Sequence, residues 1–278
     1  MLSYRHSYHA GNFADVLKHI VLIECLQHLG KKDKAFDYID THAGAGLYDL
    51  ASVHASKLPE FKNGIGKLAS ADWPELASYF EVVNKLNQDG DLGLYPGSPW
   101  LALHFMRPQD RAWLYELHSE DARLLANNVQ KDKRARVMHE DGLSGLLRLL
   151  PPVSRRGLVL IDPSYEIKSD YDLVAKTVIE AHKKFATGTY AIWYPVVERS
   201  RIIRLEKQLI KSSIRNIQRF ELGITADSDA SGMTASGMML INPPWQLMAT
   251  MQTVLPKLSK ALALDTGAFF KADVLVAQ

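Results

Sequence analysis

Seven short runs of branched and aromatic residues, each closed by polar or turn residues, punctuate the chain: Ala35 to Asp40, Ala112 to Glu116, Ala135 to Glu140, Gly157 to Asp162, Thr189 to Tyr194, Ile217 to Gly223 and Gly237 to Asn242. Runs of that length and composition predict β-strands. Most of the segments between them carry helical spacing. Val16, Ile20 and Ile23 recur at i, i+4 and i+7, and Ile203, Ile210, Ile214 and Ile217 fall on one helical stripe. Strand alternating with helix predicts an α/β fold with a mostly parallel sheet covered on both faces, because parallel neighbours need long crossovers. The last two strands are joined by Thr225 to Ser236, a stretch too polar and too glycine-rich for a crossover helix, so they are expected to pair antiparallel. Between Gly46 and Ala112, ~65 residues stand where a minimal βαβ unit would have one helix and its turns. Trp73 to Leu86 reads as helical within them, and Asp89-Gly90 and Pro96-Gly97 read as turns. The expectation is one domain, 1–278, carrying a helical insert at 47–97.

Composition narrows the functional classes. In 278 residues, 47% are hydrophobic and 23% charged, which excludes a disordered or fibrous chain. Lys+Arg 33 against Asp+Glu 31 leaves a net charge of +2, so a nucleic-acid partner must be met by local patches. Such patches exist at Lys131, Lys133, Arg134 and Arg136, at Arg155 and Arg156, and along Arg199 to Arg219. Each reads equally well as a solvated face. The single cysteine, Cys25, rules out an intrachain disulfide and the usual structural zinc site, and suits a reducing compartment. No apolar run approaches the ~20 residues that cross a bilayer, so a cytoplasmic protein without membrane attachment is expected.

The candidate chemistry gathers at strand ends. The first strand closes in Asp40-Thr41-His42-Ala43-Gly44-Ala45-Gly46, whose glycines allow a sharp turn and close approach of backbone to a ligand. The dinucleotide fingerprint G-x-G-x-x-G is not there, which disfavours a nicotinamide dehydrogenase. Glu116, Glu140-Asp141-Gly142 and Asp162 end three further strands. Carboxylates collected on one sheet edge suit a cationic or hydroxyl-rich ligand, and Glu116 suits a ribose diol. Each acid taken singly reads as a solvated loop residue or a helix cap. Asp162-Pro163-Ser164-Tyr165 fits the pattern Asp/Asn-Pro-Pro-aromatic with Ser in third place. Proline fixes its own φ and restricts its neighbour, so a carboxylate and a carbonyl are held at the sheet edge beside an aromatic ring. That set can accept the hydrogens of a conjugated amine. Asn242-Pro243-Pro244-Trp245 fits the pattern more literally but follows a strand expected near the sheet's margin, and reads as a turn with a buried indole. Tyr4, Arg5, His6, His9, Lys18 and His19 crowd the N-terminus. Lys18 and His19 suit an anionic carboxylate or phosphate, and no metal-binding spacing is present.

The order of glycine turn, strand-end acid and Asp-Pro-Ser-Tyr resembles S-adenosylmethionine-dependent amino-methyltransferases. More closely, Tyr4-Arg5-His6, His9-Ala10-Gly11-Asn12, Ala14 to His19, Asp40 to Gly46, Tyr95-Pro96-Gly97-Ser98-Pro99, Pro151 to Gly157 and Gly232 to Gly237 resemble the bacterial large-subunit ribosomal RNA adenine-N6 methyltransferase J family. The resemblance implies a Rossmann-like class I methyltransferase sheet of about seven strands. It implies S-adenosylmethionine as donor and one adenine N6 of 23S rRNA as acceptor, met as naked or partly assembled RNA by a monomer. By position it places Lys18, His19, His42, Ser98, Glu116, Asp141, Gly142 and Asp162 around the donor. Asp162 would be the catalytic acceptor, with Tyr4, His6 and Tyr165 facing the RNA. Ser98, followed by Pro99, also reads as a helix cap. Ser164 departs from the family motif, where a second proline is expected. Two alternatives remain: a non-catalytic RNA-binding module of the same fold, and an amino-methyltransferase acting on DNA or protein glutamine.

Overall fold

Asn12 caps the first helix, α1 (Phe13–Gly30), its Oδ1 accepting from the amides of Ala14 and Asp15. In the computed structural model, which describes residues 5–228 and 232–278, there follow β1 (Asp37–Asp40), β2 (Leu47–Asp49), α2 (Val53–Lys57), α3 (Ala77–Leu86), β3 (Leu94–Pro96), α4 (Ser98–Phe105) and β4 (Arg111–Tyr115). The chain continues through α5 (Ser119–Val129), β5 (Ala135–Met138), α6 (Gly142–Leu149), β6 (Gly157–Ile161), α7 (Asp170–Lys184) and β7 (Thr189–Val196). It closes with α8 (Arg199–Lys211), β8 (Ile217–Gly223), β9 (Ala235–Ile241), α9 (Leu247–Leu262) and β10 (Phe269–Val276). Eight strands form one sheet in the order β10-β8-β9-β7-β6-β1-β4-β5, and β2 pairs with β3 in a separate ribbon.

From β7 to β5 the strands are parallel, while β9 is antiparallel to both β7 and β8. The antiparallel pair expected from the loop is therefore present. The chain leaves β1 toward β4 on one side and returns through β6 on the other, so the sheet reverses direction of growth between β1 and β6. Open α/β sheets bind ligands at the carboxyl edge beside such a switch. β6 is buried along its whole length, as a central parallel strand must be; each of its branched residues contributes ~1.5–3 kcal/mol of burial.

Three expectations are corrected. The sheet has eight strands rather than seven, because β10 pairs antiparallel with β8. Its alternation is masked by Lys271 and Asp273, both carried on a half-buried edge strand. The isoleucine stripe also fails. α8 buries Ile202, Leu205 and Leu209, leaves Ile203 and Ile210 exposed, and ends before Ile214, while Ile217 opens β8. Finally, Trp245 is not a buried indole but stands 83% exposed. Its loop lies at the edge opposite the strand ends just named, since Ile241 pairs with Tyr190 at the start of β7.

Segment 47–97 holds the β2–β3 ribbon as well as helices, and Gly97 after β3 supplies the N-cap position of α4 rather than part of a free turn. Among the described residues no helix is long and apolar enough to cross a membrane.

Candidate active site at the carboxyl edge

α1 is buried on nearly all sides, and yet it carries Asp15, Lys18 and His19, each less than 5% exposed. Ionisable groups that deep must be paired. Lys18 Nζ lies 2.9 Å from Asp15 Oδ1 and donates to Asp162 Oδ2 at 2.6 Å, joining the helix to the end of β6. Asp15 Oδ2 in turn meets His6 Nε2 at 2.8 Å and the Gly11 amide at 2.9 Å. Burial alone would push the Asp15 carboxyl up; His6 and Lys18 outweigh it and hold it well below the usual range. At Asp162 burial wins despite Lys18, and the carboxyl is pushed up to about 6. Burial opposes the charge on Lys18, but Asp15 and Asp162 prevail and raise its pKa above that of a free lysine.

These groups open on a cavity of about 650 Å³ that brings together His6, Lys18, His19, His42, Ser98, Glu116, Asp141, Gly142, Asp162 and Tyr165. Every candidate from the sequence thus lines one space except Tyr4, which lies outside the described residues. Glu116 accepts from the amides of Gly44 (2.8 Å) and His118 (2.7 Å), which fixes its carboxylate over the glycine turn. Asp141 caps α6 by accepting from the Ser144 amide at 2.6 Å, so its helix-cap role holds and one oxygen is committed. Ser98 does not cap α4, whose N-cap is Gly97; its hydroxyl donates instead to Asp40 Oδ2 at 2.6 Å. Tyr38 donates to that same oxygen at 2.7 Å. A Cβ at Gly142 would sit 1.9 Å from the Thr41 carbonyl, so the turn after β5 accepts glycine alone.

His19 Nδ1 lies 2.9 Å from Tyr95 Oη, which lies 3.0 Å from Tyr79 Oη. The ring and the two hydroxyls thus form one buried hydrogen-bonded chain. The other ring nitrogen of His19, Nε2, is buried and without a protein partner. Burial pushes the His19 pKa down to about 3 and that of His42 to about 4, so both rings are neutral. Asp15, Asp40, Tyr95 and Trp193 were not picked out as site residues by sequence reasoning. Only the strand-end position of Asp40 could have pointed to its role; the others reach the site through tertiary packing.

Tyr165 takes a left-handed backbone (φ 52°), and its hydroxyl donates to the Trp193 carbonyl at 2.8 Å. Its ring lies 4.3 Å from that of Tyr171 between centroids. By contrast, Asn242 spends its amide on the carbonyls of Ala186 and Gly188 at the opposite edge, far from the cavity.

A family model described as "Ribosomal RNA large subunit methyltransferase D, RlmJ" matches residues 33–274. The chain belongs to this family. Two curated members, both named "Ribosomal RNA large subunit methyltransferase J", are 52% identical to it. The one from Haemophilus influenzae aligns over 273 residues, covering 97% of each chain; the one from Escherichia coli K12 aligns over 270, covering 96% of each. A crystal structure of a Legionella pneumophila protein, 36% identical, superposes with a TM-score of 0.87 over 96% of this chain and 98% of its own. The RlmJ family is one of methyltransferases, and the chain is an enzyme of that class.

Proposed function

We propose that this enzyme moves a methyl group from S-adenosylmethionine to the N6 of one adenine in the RNA of the large ribosomal subunit. The observation that carries the reading is Asp162. It is a largely covered carboxylate, its side chain 12% exposed, followed by proline at the sheet's switch point and opening on the same cavity as Glu116 and His19.

The donor set fits an α-amino acid joined to a nucleoside. His19 Nε2 is a buried ring nitrogen with no protein partner, and carrying its proton there it would donate to a carboxylate. Ser98, its proton given to Asp40, presents lone pairs suited to an ammonium. Glu116, oriented by two amides, has lone pairs left for a ribose diol, and Asp141 and the Gly142 backbone stand where an adenine edge would lie. When bound, the donor supplies an electrophilic methyl on a cationic sulfonium.

The protein's part is positioning. The adenine leaves its stack, as a base must to reach such a cavity. Its N6 hydrogens meet Asp162 Oδ1, which has no other partner among the described residues, and the Pro163 carbonyl. Two acceptors on the amine localise its lone pair toward the methyl. Asp162, raised to about 6 by burial, carries the released proton, while Lys18 on Oδ2 holds the carboxylate in place. Tyr165 backs the base, with His6 and Tyr4 at the RNA entrance. The acceptor is the 23S rRNA, naked or partly assembled.

Transfer of radiolabelled methyl to naked 23S rRNA, with mass-spectrometric mapping of N6-methyladenine, tests this reading. Equal transfer to DNA or protein would contradict it, as would an enzyme that binds no S-adenosylmethionine by calorimetry. Two further results are expected. The carboxylate must be ionised to accept, so single-turnover rate should fall about tenfold per pH unit below about 6 and level off above. A pH-independent rate between 5 and 7 would remove Asp162 as acceptor. Ser164→Pro should change the same rate by less than about threefold, because Asp162 and the Pro163 carbonyl do not depend on Ser164; a gain from near zero would show the natural loop to be incompetent.

A further inference from the structure

Ile167, Leu173 and Val197 line the cavity that holds Asp162, and yet they are 57%, 48% and 43% exposed. Large apolar side chains gathered in water at the mouth of a polar cavity mark a binding surface. They come from three separate places: the loop that carries Tyr165, the first turn of α7, and the residue directly after β7. Three elements therefore bring exposed apolar side chains to the rim of one cavity, here called the ledge. Charge near it is largely cancelled within the protein. Lys168 lies 3.5 Å and Arg201 2.8 Å from Glu198, so the ledge itself offers apolar faces rather than a phosphate track.

We propose that this ledge is the subsite for the RNA bases that flank the target adenine, with Ile167 filling the gap that the flipped base leaves behind. This rests on the reading of the cavity as an adenine-N6 site. A base drawn into the cavity exposes the faces of its two stack neighbours, which are apolar and lie one base step from its sugar. The wall they meet at the cavity mouth is the ledge. Proteins that unstack bases commonly insert Ile, Leu, Phe or Met at the vacated step. Ile167 follows Asp162 by only five residues, on the loop that also carries Tyr165, so wedge and acceptor are held by one piece of chain.

The test compares Ile167→Ala with the wild type on two RNAs: a hairpin with the target adenine stacked, and the same hairpin with abasic sites on both sides of it. On the stacked RNA, kcat/KM should fall about tenfold, the scale of one base contact. On the abasic RNA, where no neighbours remain to separate or cover, the variant should match the wild type within about twofold. Affinity for S-adenosylmethionine should not change. Leu173→Ala, at an equally exposed position, should repeat the pattern with a smaller loss. An equal loss on both RNAs, or no loss on either, would overturn the ledge while leaving the adenine site intact. Absence of methyl transfer by the wild type on either RNA would overturn the adenine site, and the ledge with it.

Discussion

Asp162→Ala is expected to slow single-turnover methyl transfer by about 10³-fold, within the range found when a positioned proton acceptor is removed. Affinity for the RNA should stay within about threefold. The protein should also remain folded, for a reason of charge. Without Asp162, Lys18 still faces Asp15 at 2.9 Å, leaving a neutral buried pair. The variant also loses a carboxyl whose charged form burial disfavours. Thermal unfolding should therefore shift by only a few degrees while turnover collapses. Retained turnover would remove Asp162 from the mechanism, and a large thermal shift would make it a structural residue first.

Lys18→Met should do the opposite to stability. It leaves Asp15 and the largely covered Asp162 around the same point with their shared cation gone, and Asp15 keeps only His6 and the Gly11 amide. Removing one partner from a buried ionic cluster costs about 3–5 kcal/mol. For a chain of this size that is a fall in Tm of roughly 10 °C. The deficit should shrink as pH falls from 8 to 5, because the charged form of Asp162 is the costly one and its raised pKa lets it take up a proton in that window. Adding Asp162→Asn to Lys18→Met should recover about 1–3 kcal/mol, the size of direct coupling between neighbours. Calorimetric unfolding of the four proteins checks this. An additive double variant would show that Lys18 and Asp162 do not share their charge in the folded protein.

Much of the site was legible because its parts sit at strand ends. Asp40 closes β1, Glu116 follows β4 and Asp162 follows β6, and the parallel order of these strands delivers all three to one edge. Lys18 and His19 were legible only as residue types near the start. That Lys18 reaches Asp162, 144 positions further on, depends on α1 packing against β6, β7 and β9. The sequence offers no local sign of that packing. Ser98 read as a helix cap for the same reason: its true partner, Asp40, is 58 residues away. The rival motif at Asn242 ranks second in the sequence for a reason that fails, since its strand β9 lies inside the sheet between β7 and β8 rather than at the margin. What carries its end to the wrong edge is the antiparallel run of β9. β10 escaped notice because an edge strand with one solvated side does not need a clean apolar run.

The central claim is a geometry: a carboxylate and a main-chain oxygen gripping an adenine amine in front of a methyl donor. The most direct measurement is a crystal structure of the enzyme with S-adenosylhomocysteine and an RNA hairpin carrying the acceptor adenine. The account predicts the adenine N6 within hydrogen-bond distance of both Asp162 and the Pro163 carbonyl, facing the sulfur. An adenine bound elsewhere, or those two oxygens turned from the sulfur with protein filling the space between, would contradict it.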